Sequence, residues 1–285
     1  MTVELIQDIA EMQKITIGAR IRGKSVGLVP TMGYLHKGHL SLVRLARREA
    51  DFLVVSIFVN PTQFVEGEDY ESYPRDAERD TRLLDREGVD AVFSPAVEEM
   101  YPRDYSTYVE VEDLTSVLCG RSRPGHFRGV TTVVAKLFNA VRPHFAVFGE
   151  KDFQQAIVIR RMVRDLNMGV RIVLGPIVRD EDGLALSSRN TYLTGAEREE
   201  ARVIYRSLLE ARRMVREGNT DAGEVTSAVR DMINAKRAGA VEYVKAVHPE
   251  TLTELSVIDR EAVIAVAARF GRARLIDNIR VGERS

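Results

Sequence analysis

The chain carries 41 Lys and Arg against 42 Asp and Glu over 285 residues, a formal charge of −1, and it has no block of like charge long enough to form a nucleic-acid arm. Hydrophobic residues make up 45%, ample for a packed core, and the length exceeds one ordinary domain, which predicts two. Cys119 is the single cysteine, so an internal disulfide and a cysteine-built zinc cage are both excluded, and a reducing compartment fits.

The amino-terminal residues lack a basic region followed by an apolar stretch, so no secretory signal is expected. The longest apolar run, Phe52 to Val59, is too short to cross a bilayer. A cytoplasmic chain with no membrane or nucleic-acid partner is the expectation. The first clear element is a short apolar strand, Val26 to Val29, punctuated by Pro30 and Gly33, with helical spacing from about 39 to 50. Between them stand His36 and His39, three residues apart with Gly38 in the gap, near a helix start. Unpaired backbone N–H groups and the helix dipole favour phosphate there, and imidazoles at i and i+3 can face one ligand. That is the profile of a nucleotide site. A pair of capping or surface histidines is the plainer alternative, outweighed by the strand, the turn and the glycine.

Strands are then predicted at Leu53 to Val59, Val89 to Phe93, Phe145 to Phe148 and Val170 to Leu174, with helices at about 75 to 87, 130 to 141 and 152 to 166. That alternation predicts a parallel sheet covered by helices on both faces. Asn60-Pro61-Thr62-Gln63 closes the second strand and Gly149-Glu150-Lys151-Asp152 the fourth. Ligands of open α/β sheets bind beyond the carboxyl ends of strands, so these motifs converge with the histidine turn on one edge. Neither a G-x-G-x-x-G fingerprint nor a Walker loop is present to hold phosphate. Arg121, Arg123 and Arg128 form a local basic cluster, more often a solvated face than a binding surface. Cys119 reads as a structural thiol. Gly175 to Asn190, with Gly183 and paired serines, breaks the pattern and predicts a hinge with a loop free to close. Beyond it, helices over 195 to 216 and 221 to 236 precede alternating runs at Val241 to Val247, Val263 to Ala267 and Ala273 to Ile279, the pattern of a smaller α+β domain with antiparallel strands.

The sequence His36-Lys37-Gly38-His39 resembles the H-I-G-H signature of the nucleotidyltransferase superfamily. Further blocks resemble one family within it, the pantothenate synthetases: Pro30-Thr31-Met32-Gly33, Phe58 to Phe64, Tyr73-Pro74-Arg75-Asp76, Pro124 to Val130, Phe148 to Gln155 and Ser187-Ser188-Arg189-Asn190. These blocks cover residues 25 to 193, and their number and order are far more specific than H-x-G-H alone. The resemblance implies a Rossmann-like parallel-sheet domain over residues 1–178 that binds ATP and pantoate. It implies a smaller α+β domain over 179–285 that carries a phosphate-binding loop. The implied reaction is ATP-dependent joining of (R)-pantoate to β-alanine through a pantoyl adenylate, giving pantothenate, AMP and pyrophosphate in a homodimer that uses Mg²⁺.

On this resemblance, His36, His39, Lys151 and Arg189 are the candidate catalytic residues, donors suited to the charge that builds on the phosphates. ATP would be met by Met32, Gly33, Tyr34, Leu35, His36, Lys37, Gly38, His39, Gly149, Glu150, Lys151 and Asp152, and by Val178, Leu186, Ser187, Ser188 and Arg189, with Val178 and Leu186 on the adenine side. The Ser187-Ser188-Arg189 run stands where the superfamily has K-M-S-K-S, without the lysines. Gln63 and Gln155 would read pantoate with neutral amides, and a shared helix face is expected for Lys151 and Gln155. Phe64, Met32 and Val133 or Val134 are candidate apolar walls. The metal ligands stay unknown, with Asp80 and Asp152 the carboxylates considered. The base for the β-alanine amine is unassigned among His39, Gln63 and His126. The competing readings are a nucleotidyltransferase with a phosphorylated acceptor, a nucleotide-binding regulator and a tRNA-charging enzyme.

Overall fold

The computed structural model describes residues 3–282. These form two compact units. The first comprises the chain up to Ser116 with Gly120–Glu150 and Gln155–Pro176, and the second comprises Val117–Cys119, Lys151–Gln154 and the chain from Ile177.

The elements of the first unit are β1 (Glu4–Ile6), α1 (Ile9–Ile21), β2 (Val26–Thr31), α2 (Lys37–Arg47), β3 (Phe52–Ile57), α3 (Ala77–Arg86), β4 (Ala91–Phe93), a single turn α4 (Val97–Met100), the short α5 (Leu118–Ser122) that enters from the second unit, α6 (His126–Val141), β5 (Phe145–Gly149), α7 (Phe153–Asp165) and β6 (Arg171–Gly175). The six strands form one sheet in the order β1-β4-β3-β2-β5-β6, every pair parallel. Strands covered on both faces should be apolar on both, and β2, β3 and β4 are almost entirely buried. Val29, Val55, Val92 and Val147 meet Leu40, Val43 and Ala46 of α2 and Leu84 of α3 on one face, while α1 and α6 pack on each other and on β2.

Strand order decides where ligands go. The chain runs outward from β2 through β3 to β4, then returns to place β5 against the other side of β2. The sheet reverses direction between β2 and β5, and a crevice opens at that point beyond the strand ends. The histidine turn follows β2, the Glu150–Asp152 turn follows β5, and the Asn60 motif follows β3, which neighbours β2.

The second unit contains α8 (Gly195–Ala201), α9 (Val203–Arg216), α10 (Ala222–Asn234) and an antiparallel sheet β7-β8-β9 of Gly239–Val247, Ala262–Phe270 and Ala273–Val281. Ile204, Leu208 and Ala211 of α9 and Val225, Val229 and Ile233 of α10 bury against Ile264, Val266, Leu275 and Ile279. The helix expected over 195 to 216 is two helices broken at Arg202. β1, α1 and the short α4 and α5 had no counterpart in the sequence reading. β1 is a three-residue edge strand too short for periodicity to register, and the apolar residues of α1 do not gather on one face: it starts at the Asp8 cap and buries Met12, Thr16 and Ala19 while Ile21 stays exposed. The helix expected from 130 begins at His126, because Gly125 turns the chain at φ 85°.

Candidate active site

In the first unit the turn after β2 is built by hydrogen bonds that fix each residue in place. Thr31 donates its hydroxyl to the Ser56 carbonyl at 2.7 Å and accepts from the Gly33 amide at 3.1 Å. Gly33 sits at φ 81°, and a Cβ there would lie 2.9 Å from Ile57. Tyr34 follows at φ 50°, and the Asp80 carboxylate from α3 accepts both the Tyr34 amide at 2.5 Å and the Leu35 amide at 2.8 Å. Asp80 is 1% exposed; burial pushes its carboxyl above the usual range, countered by the two amides and by Arg79. Its oxygens hold the turn.

His36 is the N-cap of α2. Its Nδ1 accepts from the Gly38 amide at 3.1 Å, and Nδ1 of His39 accepts from the His36 amide at 3.4 Å, a capping box with histidine in both places. The rings stack with centroids 4.0 Å apart. An imidazole that accepts at Nδ1 carries its proton on Nε2, so both neutral rings are Nε2–H donors. Capping therefore uses one ring nitrogen of each histidine and leaves the other as a donor. The helix starts at Lys37, two residues earlier than expected, which puts Lys37, Gly38 and His39 in its first turn, where the dipole favours an anion.

Beyond β3, Asn60 is 1% exposed, donates to Gln63 Oε1 at 3.1 Å and to the Gly129 carbonyl at 3.2 Å, and accepts from Tyr101 Oη at 2.8 Å. Burial pushes the Tyr101 phenol up to about 12, so it remains a donor. Gln63 Nε2 lies 3.1 Å from the Met32 sulfur, which brings two predicted site residues together. Gly129 of α6 allows this close packing, since a Cβ there would stand 2.2 Å from the Thr62 carbonyl oxygen.

Arg123 pairs bidentately with Glu68 at 2.5 and 2.6 Å and reaches His126 Nε2 at 2.9 Å, while His126 Nδ1 donates to the Gln63 carbonyl at 2.7 Å. With Nδ1 donating and Nε2 accepting, His126 is a neutral strut and not the base for an amine, which corrects that option. Arg123 likewise leaves the solvated cluster proposed for it and braces Gln63. Val133 and Val134 lie buried on α6, and Phe64 meets Tyr70 and Tyr73 edge-on. Gly149 ends β5 and Glu150 opens the turn after it.

The second unit carries the other candidates. Lys151 and Asp152 lie in a 3-10 turn, Glu150–Asp152, with Lys151 Nζ 3.7 Å from the Asp152 carboxylate. The α-helix begins only at Phe153, so Lys151 lies in the 3-10 turn before it, while the half-buried Gln155 lies in α7 and belongs to the first unit. Val178 and Leu186 pair through the Leu186 amide and Val178 carbonyl at 3.0 Å, and Arg179 bridges Ala185. Residues 178–186, within the stretch expected to be a hinge, form a hairpin. Ser187 caps a 3-10 turn, Ser188–Tyr192, through its hydroxyl and the Arg189 amide at 3.3 Å, and Asn190 ties that turn to the Ala185 carbonyl at 3.0 Å. Cys119 is buried, 3.0 Å from Tyr243 Oη.

The partners that Asp80, Asn60 and the Arg123–Glu68–His126 group find were not legible in the sequence. The one local signal was an Asn before Pro at a strand end; the partners of the others lie 45 to 63 positions away in sequence.

A parallel sheet whose reversal point is flanked by a histidine-capped helix start defines an α/β nucleotide-binding fold. The chain belongs to the pantoate–β-alanine ligase family, whose model matches residues 4–280. It is 56% identical over 280 residues to a pantothenate synthetase of Thermotoga neapolitana, covering 98% of this chain and 100% of that one. It is 52% identical over 277 residues to one of Acetivibrio thermocellus, covering 97% and 99%. The crystal structure of the Thermus thermophilus pantothenate synthetase superposes with a TM-score of 0.92 at 50% identity, over 97% of this chain and 99% of that one. The Francisella tularensis pantoate–β-alanine ligase, crystallised with a β-γ ATP and β-alanine, gives 0.81 at 34% identity, over 99% of each.

Proposed function

We propose that the chain condenses (R)-pantoate with β-alanine to pantothenate, using ATP and releasing AMP and pyrophosphate by way of a pantoyl adenylate. Within the family, the observation that carries the reading of the site is the paired histidine cap, which presents two Nε2–H donors at a helix N-terminus beside the sheet's reversal point. A carboxylate oxygen of pantoate attacks the α-phosphorus, the bond to the bridging oxygen breaks, and the electron pair leaves on pyrophosphate. No protein nucleophile is needed. The requirements are alignment of two anions and donors aimed at the growing charge.

His36 and His39 donate to phosphate oxygens, and Lys151 and Arg189 supply positive charge with the hydroxyls of Ser187 and Ser188. Met32 to Gly38 and Gly149 to Asp152 line the nucleotide, and Val178 and Leu186 meet the adenine. Gln63, held by Asn60 against Met32, reads the pantoate oxygens with Gln155. In the second half-reaction the neutral β-alanine amine attacks the acyl carbon and AMP departs.

Among the described residues no group of three His, Cys, Asp or Glu could hold a metal ion. Magnesium would enter with ATP and help screen the phosphate charge, with Asp152 the carboxylate beside Lys151. No helix among the described residues is long and apolar enough to cross a membrane. On the family's pattern the working form is a cytoplasmic homodimer, which sedimentation of the purified chain would test.

The deciding experiment adds pantoate and MgATP alone, then β-alanine. Pyrophosphate should appear in the first stage and AMP in the second. Pyrophosphate that forms without pantoate, or AMP that needs no β-alanine, would overturn the reading.

A further inference from the structure

Strand β9 of the second unit holds an anomaly. Alternate residues Ala273, Leu275, Ile279 and Val281 belong to the apolar core, and Asp277, in the same row, is a carboxylate only 4% exposed. Burying a charge costs more than an apolar side chain would, unless the geometry of its partner repays it. Arg179 is that partner. It reaches Asp277 by two bonds at 2.6 and 3.0 Å, donates to the Gly183 carbonyl at 3.3 Å, and lies 3.7 Å over the Tyr205 ring. Arg179 is also the bridge residue of the 178–186 hairpin, which leads directly into Ser187, Ser188 and Arg189.

The neighbouring residue points the other way along the pleat. Asn278, 6% exposed, donates through Nδ2 to the Lys151 carbonyl at 3.1 Å. Its neighbours in that row act on the same inserted segments, Arg274 reaching the Cys119 sulfur at 3.4 Å and Arg280 lying 5.8 Å from the Phe153 ring. The Asn278 amide also donates to Asp277 Oδ1 at 2.8 Å, joining the two anchors.

We propose that the Asp277–Asn278 dipeptide is a positioning pair that fixes Lys151 relative to the Ser187–Arg189 turn, and so sets the spacing of the groups that grip the phosphates of ATP. Neither residue touches substrate: Asn278 acts through the Lys151 backbone and Asp277 through Arg179. The inference rests on the phosphate-binding reading of Lys151 and Arg189 given above.

The test is a double-mutant cycle in the full chain, read as the KM for MgATP in pantoate-dependent ATP–pyrophosphate exchange. Asn278→Ala should raise that KM about three- to tenfold, the effect of one lost hydrogen bond on a preorganised group. The rise should vanish when Lys151 is already alanine, because residues acting as one unit are not additive. Asp277→Asn should behave the same way against Arg189→Ala, and Asp277→Glu, which keeps the charge, should restore part of the loss. Equal fold-changes in both backgrounds, with only the melting temperature lowered, would mean a purely structural role and overturn the pair. Normal exchange in Lys151→Ala and Arg189→Ala would instead overturn the phosphate reading, and the positioning role with it. Should Asn278→Ala not fold, Asn278→Ser carries the same comparison.

Discussion

The two candidate phosphate-binding segments are held in opposite ways. The turn at His36–His39 is fixed largely from within, His36 accepting from the Gly38 amide and His39 from the His36 amide at the same helix start, with Asp80 as its principal distant support. The Ser187–Arg189 turn has local caps of its own, but the hairpin that delivers it depends on Asp277, 98 positions from Arg179. Local chemistry nearly completes the first segment, whereas only the folded second unit puts the other in place.

The sharpest test of the local segment is His39→Ala. Loss of one preorganised donor should cut pantoate-dependent exchange on the order of a hundredfold to a thousandfold. Stability should fall by only about 1 kcal/mol, as for a lost cap. A folded variant with near-normal exchange would remove His39 from the chemistry and leave it as a cap alone.

Asp80→Ala probes the principal long-range support of that turn. The Tyr34 and Leu35 amides would be left buried without their acceptor, at about 1–3 kcal/mol each, so the denaturant midpoint should drop clearly and exchange should drop with it. If stability falls while exchange per folded molecule is unchanged, the turn is held well enough by the caps and the contrast between the segments is sharper still.

Gly129→Ala acts on the neighbouring motif. A methyl 2.2 Å from the Thr62 carbonyl must push α6 away from Gln63, costing about 1–3 kcal/mol of stability and raising the KM for pantoate more than that for ATP. An equal rise for both substrates would detach Gln63 from pantoate.

The smallest effect belongs to His144, outside both segments. Burial, with help from the charge of Arg20, pushes its imidazole below the ordinary 6.5. The folded chain therefore favours the neutral ring, and its contribution is fully present above pH 6.5 and is lost as pH falls below it toward the lowered value. Thermal melts should show a slight decline over that interval, absent in His144→Asn. A decline of the same size in that variant would assign it to other groups.

Much of the first unit was legible because its signals are local. Apolar runs bounded by Gly and Pro gave five of its strands near their observed places, and the strand-turn-histidine order marked the nucleotide edge. The 3-10 turn before α7 was not legible for a local reason, since spacing alone does not reveal it. The hairpin around Gly183 was not legible for a distant one: composition reads as loop, while Arg179 finds Asp277 on a strand near the chain's end.

The sequence by itself determined the family, the alternation that makes a parallel sheet, and the identity of the groups that can donate to phosphate, because these depend on residue type and short spacing. Tertiary structure alone decided the strand order that puts β2 beside β5, the use of Asp80 as a backbone clamp, and the anchoring of Lys151 and Arg179 on β9. Those outcomes depend on which buried polar groups meet across long loops, and a buried carboxylate takes whichever donors the fold brings to it.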